Sequence, residues 1–165
     1  MMVPKGLVHR CDQFFKEAMA SSLAVLEKLF RIECHSLAQY VTESWPWVHR
    51  GDRAAQDLVS SITVDERRWA GQLFELLNQK GVTPRSGCYP AEFTHSNLHF
   101  VALDYLLLRI ADYIERSIGV LRAALPALVD DPQGQALVGQ MIERKTGQVD
   151  ALRKVARSEK EKVHA

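Results

Sequence analysis

The stretch Glu33-Cys-His-Ser-Leu-Ala-Gln-Tyr40 lies inside a long segment with a helical repeat. Positions that advance by four and three residues in alternation form one stripe, which consists of Phe15, Met19, Ser22, Leu26, Leu29, Glu33, Ser36 and Tyr40. A repeat of about 3.5 residues is typical of the packing seam of a helical bundle. Glu33 is therefore predicted to be buried between helices, where its carboxylate needs a partner because an unpaired buried charge is costly.

Four segments carry a helical pattern, and no segment has the pattern of a strand, so the sequence predicts an all-α fold. The first helix is predicted to end before Trp45-Pro46-Trp47, because a residue that precedes proline is disfavoured in the helical region. Asp131-Pro132 is a typical helix start and Lys80-Gly81 a typical helix end. The predicted helices cover residues 12–43, 52–79, 94–124 and 131–157.

A long connection at residues 82–94 separates the second and third predicted helices and contains Pro84, Gly87 and Pro90. Thirteen residues are many for a connection inside a compact bundle. They are enough to run along its length, so we expect the second and third helices to be parallel. The prediction is a single domain over residues 1–165, a four-helix bundle with a crossover, whose ends at 1–8 and 158–165 are loosely ordered.

Composition excludes several classes of function. The chain of 165 residues has a formal net charge of +1, which gives no field that favours nucleic acid or an anionic membrane. No apolar run approaches the roughly 18 residues of a membrane span, and the N-terminal residues lack the apolar core of a signal peptide. Three scattered cysteines indicate reduced thiols rather than a disulfide framework. We expect a cytoplasmic protein without nucleic-acid or membrane partners.

A second carboxylate falls on a predicted buried stripe. In the second helix this stripe consists of Ala55, Leu58, Ile62, Glu66, Trp69, Leu73 and Leu76. Glu33 and Glu66 would then repel each other across the bundle unless a positive charge lies between them. The fourth helix can supply that charge through Lys145 or Arg144. The sequence thus predicts a polar layer in the core, and the helical pattern leaves the cation open between these two residues.

Three motifs resemble those of the ferritin-like superfamily, which includes bacterioferritins and rubrerythrins. Glu33, followed by Gln39-Tyr40, resembles the motif of the first helix in that family. The sequence Glu-Arg-Arg-Trp-Ala-Gly-Gln-Leu at 66–73, with the exit at 79–85, looks like the second helix and the start of the crossover. The fourth helix carries Gly147-Gln-Val-Asp-Ala-Leu152, which is similar to Gly-His-x-Asp-x-Leu. The resemblance implies a ferritin-like four-helix bundle.

The resemblance also implies that the di-iron site of the family is degenerate here. That site takes a glutamate from each of two helices and Glu-x-x-His from each of the other two. Glu33 and Glu66 stand at two of the glutamate positions. Trp69 replaces the histidine of the second helix, while Lys145 and Gln148 replace the glutamate and histidine of the fourth. The resemblance therefore predicts a former metal pocket that no longer holds metal, in which Lys145 is the cation favoured to lie between the two glutamates.

The resulting functional expectation is a binding or assembly protein without a cofactor, rather than an enzyme. Its polar layer could line a pocket for a small-molecule ligand. The alternative is a di-metal oxidoreductase or iron-handling protein that uses Glu33, Glu66 and Asp112, although Asp112 points away from the apolar stripe of its helix. A further alternative is a zinc site formed by Cys88, His95 and His99.

The third predicted helix is apolar on two faces. Besides its core stripe it carries a second set, which consists of Leu98, Val101, Tyr105 and Leu108. Monomers rarely expose a large contiguous apolar patch. We therefore expect a homodimer in which this second set is buried.

Overall fold

The computed structural model describes residues 22–44, 53–94 and 101–163, the last five as backbone only. The described residues are helical and contain no strand, which confirms the all-α prediction. None of the described helices is long and apolar enough to cross a membrane. The helices are α1 (22–34), α2 (Leu37–Ser44), α3 (Arg53–Gln79), α4 (Ala91–Thr94), α5 (Leu103–Ala124) and α6 (Pro132–Val163), with a 3₁₀ turn at Leu125–Leu128.

The helices bury two apolar clusters that lie at opposite ends of the structure. One cluster joins α2 to the first half of α3, most of α5 and the second half of α6. The other joins α1 to the second half of α3, the end of α5 and the first half of α6. Along the chain, α3 and α5 each run from the first cluster to the second, whereas α6 runs from the second to the first. Helices α3 and α5 are therefore parallel to each other and antiparallel to α6, as the long connection at 82–94 predicted.

The first predicted helix is broken in the structure, at His35 and Ser36, so the prediction of one continuous helix was wrong. The Ser36 hydroxyl accepts the backbone N–H of Gln39 at 3.1 Å, and the Gln39 side chain donates to the backbone carbonyl of Glu33. Serine followed by glutamine three residues later is a helix-start signal that competes with a continuous helix. The break therefore ends α1 directly after the residue that carries the buried carboxylate.

The end of α3, the end of α5 and the start of α6 agree closely with the predictions. The predicted start of the third helix at 94 was wrong, because α5 begins only at Leu103, after Ala102 with an extended backbone (φ −67°, ψ 147°). At the end of α3, Gly81 has a φ of 79° and the Val82 N–H donates to the Leu77 carbonyl at 2.9 Å, a turn that favours glycine. At the start of α6, the Asp131 carboxylate accepts the Gly134 N–H at 3.1 Å. The helix continues to Val163, beyond the predicted end at 157. Residues 1–21 and 95–100, on which several predictions fall, lie outside the described residues.

Candidate functional site: a buried carboxylate–lysine cluster

A charged layer separates the two apolar clusters of the core. Glu33 at the end of α1, Glu66 in the middle of α3 and Lys145 in the middle of α6 have exposed fractions of 1%, 0% and 2%. The Lys145 Nζ lies 3.1 Å from Glu33 Oε2 and 3.5 Å from Glu66 Oε1. One ammonium thus bridges two carboxylates from different helices. We call these three residues the carboxylate–lysine cluster. The burial of both glutamates agrees with the prediction from the helical stripes.

Ser36 connects the break between α1 and α2 to this cluster. Its hydroxyl, which caps α2, also donates a hydrogen bond to Glu66 Oε2 on α3. Ser36 is itself buried. The sequence analysis placed Ser36 on the stripe but gave it no role in the site. The Ser-x-x-Gln spacing of Ser36 and Gln39 was the signal that could have identified it.

Trp69 covers the lysine end of the cluster. It lies one helical turn beyond Glu66, is 2% exposed, and its ring centroid is 5.2 Å from Lys145 Nζ. An ammonium at this distance from an indole face is attracted to the ring. The tryptophan therefore packs against the cation that bridges the two carboxylates.

Gln148 and Arg144 turn away from the cluster toward Asp65. Gln148 Nε2 donates to Asp65 Oδ2 at 3.0 Å, and Arg144 Nε donates to the same oxygen at 2.8 Å. The Arg144 side chain is 60% exposed, whereas Asp65 is largely buried. Lys145, not Arg144, is thus the cation between the two glutamates. Asp65, which the sequence analysis did not single out, organises a second polar group beside the cluster.

Burial and charge shift the acid–base properties of the cluster. Burial raises the pKa of Glu33 most strongly, Lys145 lowers it and Glu66 raises it again, to about 7 in total. Burial lowers the pKa of Lys145, but the two carboxylates raise it by more, above its ordinary value. On α5, burial, Glu66 and Glu33 raise the pKa of Tyr113 to about 12, so this phenol stays neutral.

Three buried oxygen atoms in this region lack a donor in hydrogen-bond geometry among the described residues. They are Glu33 Oε2, Glu66 Oε1 and Gln148 Oε1. The first two face the Lys145 ammonium and contact it as ion pairs. Buried polar atoms are nearly always hydrogen-bonded, so the cluster is short of donors.

The residues present do not fit a di-iron centre. Lys145 Nζ occupies the space between the two carboxylates, and its ammonium has no lone pair for a metal. Trp69 is also no ligand, and the Gln148 amide is bound to Asp65. Asp112 is 68% exposed and lies 3.7 Å from Arg153, away from the cluster. Within the described ranges, no group of three or more His, Cys, Asp or Glu side chains could hold a metal ion.

The residues of the zinc hypothesis are only partly described. Cys88 is exposed, whereas His95 and His99 lie outside the described residues. His35, which neighbours the cluster in sequence, packs edge-on against Tyr89 with ring centroids 4.8 Å apart.

Comparison of the chain with protein-family models, with curated proteins and with solved structures found no match. The resemblance to ferritin-like proteins rests on the motifs around Glu33, Glu66 and Gly147.

Proposed function

We propose that this chain is a ferritin-like four-helix bundle in which a lysine has replaced the di-iron centre, and that it works as a binding or assembly protein. The observation that carries the proposal is the position of Lys145 Nζ, 3.1 Å and 3.5 Å from the two carboxylates at the former glutamate positions. In the family, metal ions separate these carboxylates. Here a tethered ammonium compensates part of the same charge.

The alternative of a di-metal oxidoreductase or iron-handling protein has less support. A metal between Glu33 and Glu66 would have to displace an ammonium that is held by both carboxylates and by the Trp69 ring. Asp112, the remaining carboxylate of that hypothesis, faces solvent and pairs with Arg153. A small-molecule ligand that contacted both carboxylates would have to displace Lys145 in the same way.

A homodimer and a cytoplasmic location complete the proposal. The dimer is supported by two side chains of the second apolar set on α5, since Tyr105 is 55% exposed and Leu108 is 37% exposed in the single chain. Val101 is half-buried and packs against the core, while Leu98 lies outside the described residues. The cytoplasmic location is supported by the three widely spaced cysteines, which indicate reduced thiols rather than a disulfide framework.

Metal analysis of the purified protein tests this proposal. Protein produced in iron-supplemented medium should carry iron well below one atom per chain, and Glu33→Ala should not change that content. A matched variant, Trp69→His with Lys145→Glu and Gln148→His, restores the family's ligand types and should bind more iron than the natural chain. About two irons per chain in the natural protein, lost in Glu33→Ala, would refute the proposal in favour of the di-metal alternative.

A further inference from the structure

The carboxylate–lysine cluster contains two acids and one base. With all three groups ionised it carries a net charge of −1 in the core, where an uncompensated charge is costly. The neighbouring Asp65 does not change this charge balance. Its carboxylate is bound outside the cluster by Arg144, Arg68 and Gln148. The cluster therefore lacks one positive charge.

The region around the cluster is also short of hydrogen-bond donors. Among the described residues, Glu66 Oε1 faces the Lys145 ammonium at 3.5 Å, and the neighbouring Gln148 Oε1 is buried without a donor in hydrogen-bond geometry. A protonated carboxyl group donates one hydrogen bond, which an ionised carboxylate cannot do. A single proton on Glu33 would thus supply the missing positive charge and add one donor to the cluster.

We propose that the carboxylate–lysine cluster is a proton-binding site, that Glu33 holds one proton near neutral pH, and that its release loosens the junction between α1 and α2. This proposal rests on the proposed function, because it requires that Lys145 and not a metal ion lies between the two carboxylates. A metal ion there would keep both of them ionised. In the protonated state Glu33 is neutral and Lys145 pairs with the Glu66 carboxylate. The raised pKa of Glu33, about 7, agrees with this assignment.

Release of the proton to solvent changes the forces between α1 and α3. Glu33 and Glu66 are then both negative and compete for one ammonium. The two helices are joined at this level by the hydrogen bond from Ser36 to Glu66, at the break between α1 and α2. The repulsion acts on this junction, whose remaining bonds are local to residues 33–40.

Other titratable groups that face Glu33 do not share this role. The phenol of Tyr113 on α5 stays neutral because its pKa is raised to about 12. Burial and the Glu33 carboxylate raise the pKa of the neighbouring Cys34 thiol, which is therefore neutral when the Glu33 carboxyl titrates. On α6 the facing group is Lys145, whose pKa is raised and which stays positive.

NMR spectroscopy of the full chain tests both parts of the proposal. The side-chain carboxyl carbon of Glu33 should titrate near pH 7. The hydrogen-exchange protection of the Ser36–Tyr40 amides, corrected for intrinsic rates, should fall by about tenfold between pH 6 and pH 8. Amides in the middle of α6 should keep their protection.

Two variants and one control separate the binding of the proton from its effect on the junction between α1 and α2. Glu33→Gln mimics the protonated acid and should keep the junction protected at both pH values, while Glu143→Gln should behave like the natural protein. Ser36→Ala should leave the Glu33 titration in place but remove the extra loss of protection at pH 8.

The proposal is overturned if the Glu33 carbon titrates near 4.5, or if the junction responds equally in the natural protein and in Glu33→Gln. Both readings come from the natural chain or a near-isosteric variant, so they do not depend on a drastic substitution. Metal analysis of the same sample keeps the two proposals apart. A metal-free protein with an ordinary Glu33 titration refutes the proton site alone, whereas bound iron refutes the proposed function.

Discussion

Replacement of Lys145 by methionine removes the positive charge of the core and keeps most of the side-chain volume. Glu33 and Glu66 would then be buried without the cation that now contacts both of them. At an effective dielectric constant of about 20, each of these contacts corresponds to roughly 5 kcal/mol of Coulomb attraction, most of which offsets the desolvation of the charges. Removal of one partner from a buried ionic group costs roughly 3–5 kcal/mol. We expect the free energy of unfolding to fall by about 4 kcal/mol at pH 8.

Urea unfolding followed by circular dichroism measures this loss, with Lys154→Met as the matched control. Lys154 lies on the same helix but is exposed, so its replacement should change the free energy of unfolding by less than about 0.5 kcal/mol. A third variant, in which Glu33 and Glu66 become leucine in the Lys145→Met background, should regain most of the loss because no charge is left buried. The reasoning is refuted if Lys145→Met is as stable as Lys154→Met.

The remaining predictions concern pH and the oligomeric state. Because the native pKa of Glu33 is about 7 against an ordinary 4.5, the native state binds more protons between these values, and the free energy of unfolding should fall as pH rises through this window. The fall should be about 3 kcal/mol, at about 1.4 kcal/mol per pH unit, and a flat profile or the same slope in Glu33→Gln would contradict the assignment. In light scattering, the natural chain should have twice the mass of a single chain. Leu108→Glu should be monomeric, while Val129→Glu, which places the same charge at an exposed position outside α5, should remain a dimer. A natural chain that is monomeric at high concentration would contradict the dimer.

The sequence predicted the parts of this structure that depend on the direction of side chains around a helix. A regular spacing of apolar residues determines which face of a helix is buried. The sequence alone therefore predicts that Glu33 and Glu66 point into the core. The choice between Lys145 and Arg144 was harder, because these neighbours point about 100° apart on a helix and both lie near its buried edge. The resemblance to the ferritin-like motifs favoured Lys145, which the structure places between the carboxylates.

The break at His35 and Ser36 depends on a different kind of interaction and was missed. The spacing of buried residues continues across the break, so the helical pattern of the sequence gives no sign of it. A Ser-x-x-Gln cap is worth only about 1 kcal/mol, and its formation depends on whether Glu66 is near enough to bind the same serine. The turn of Gln148 toward Asp65 was missed for a related reason, since a backbone position on the inner face does not decide which neighbour a flexible amide contacts.

The carboxylate–lysine cluster is hard to explain as a source of stability. Replacement of an entire buried ionic group by apolar residues is often neutral or stabilising, so stability alone does not account for this layer. The cluster lies between two apolar clusters, and apolar burial is non-directional, so it specifies the relative position of helices less sharply than an ion pair does. Glu33, Glu66 and Lys145 can meet at only one level of α1, α3 and α6. We infer that the cluster fixes the register of these three helices, and that it does so most firmly while Glu33 holds its proton.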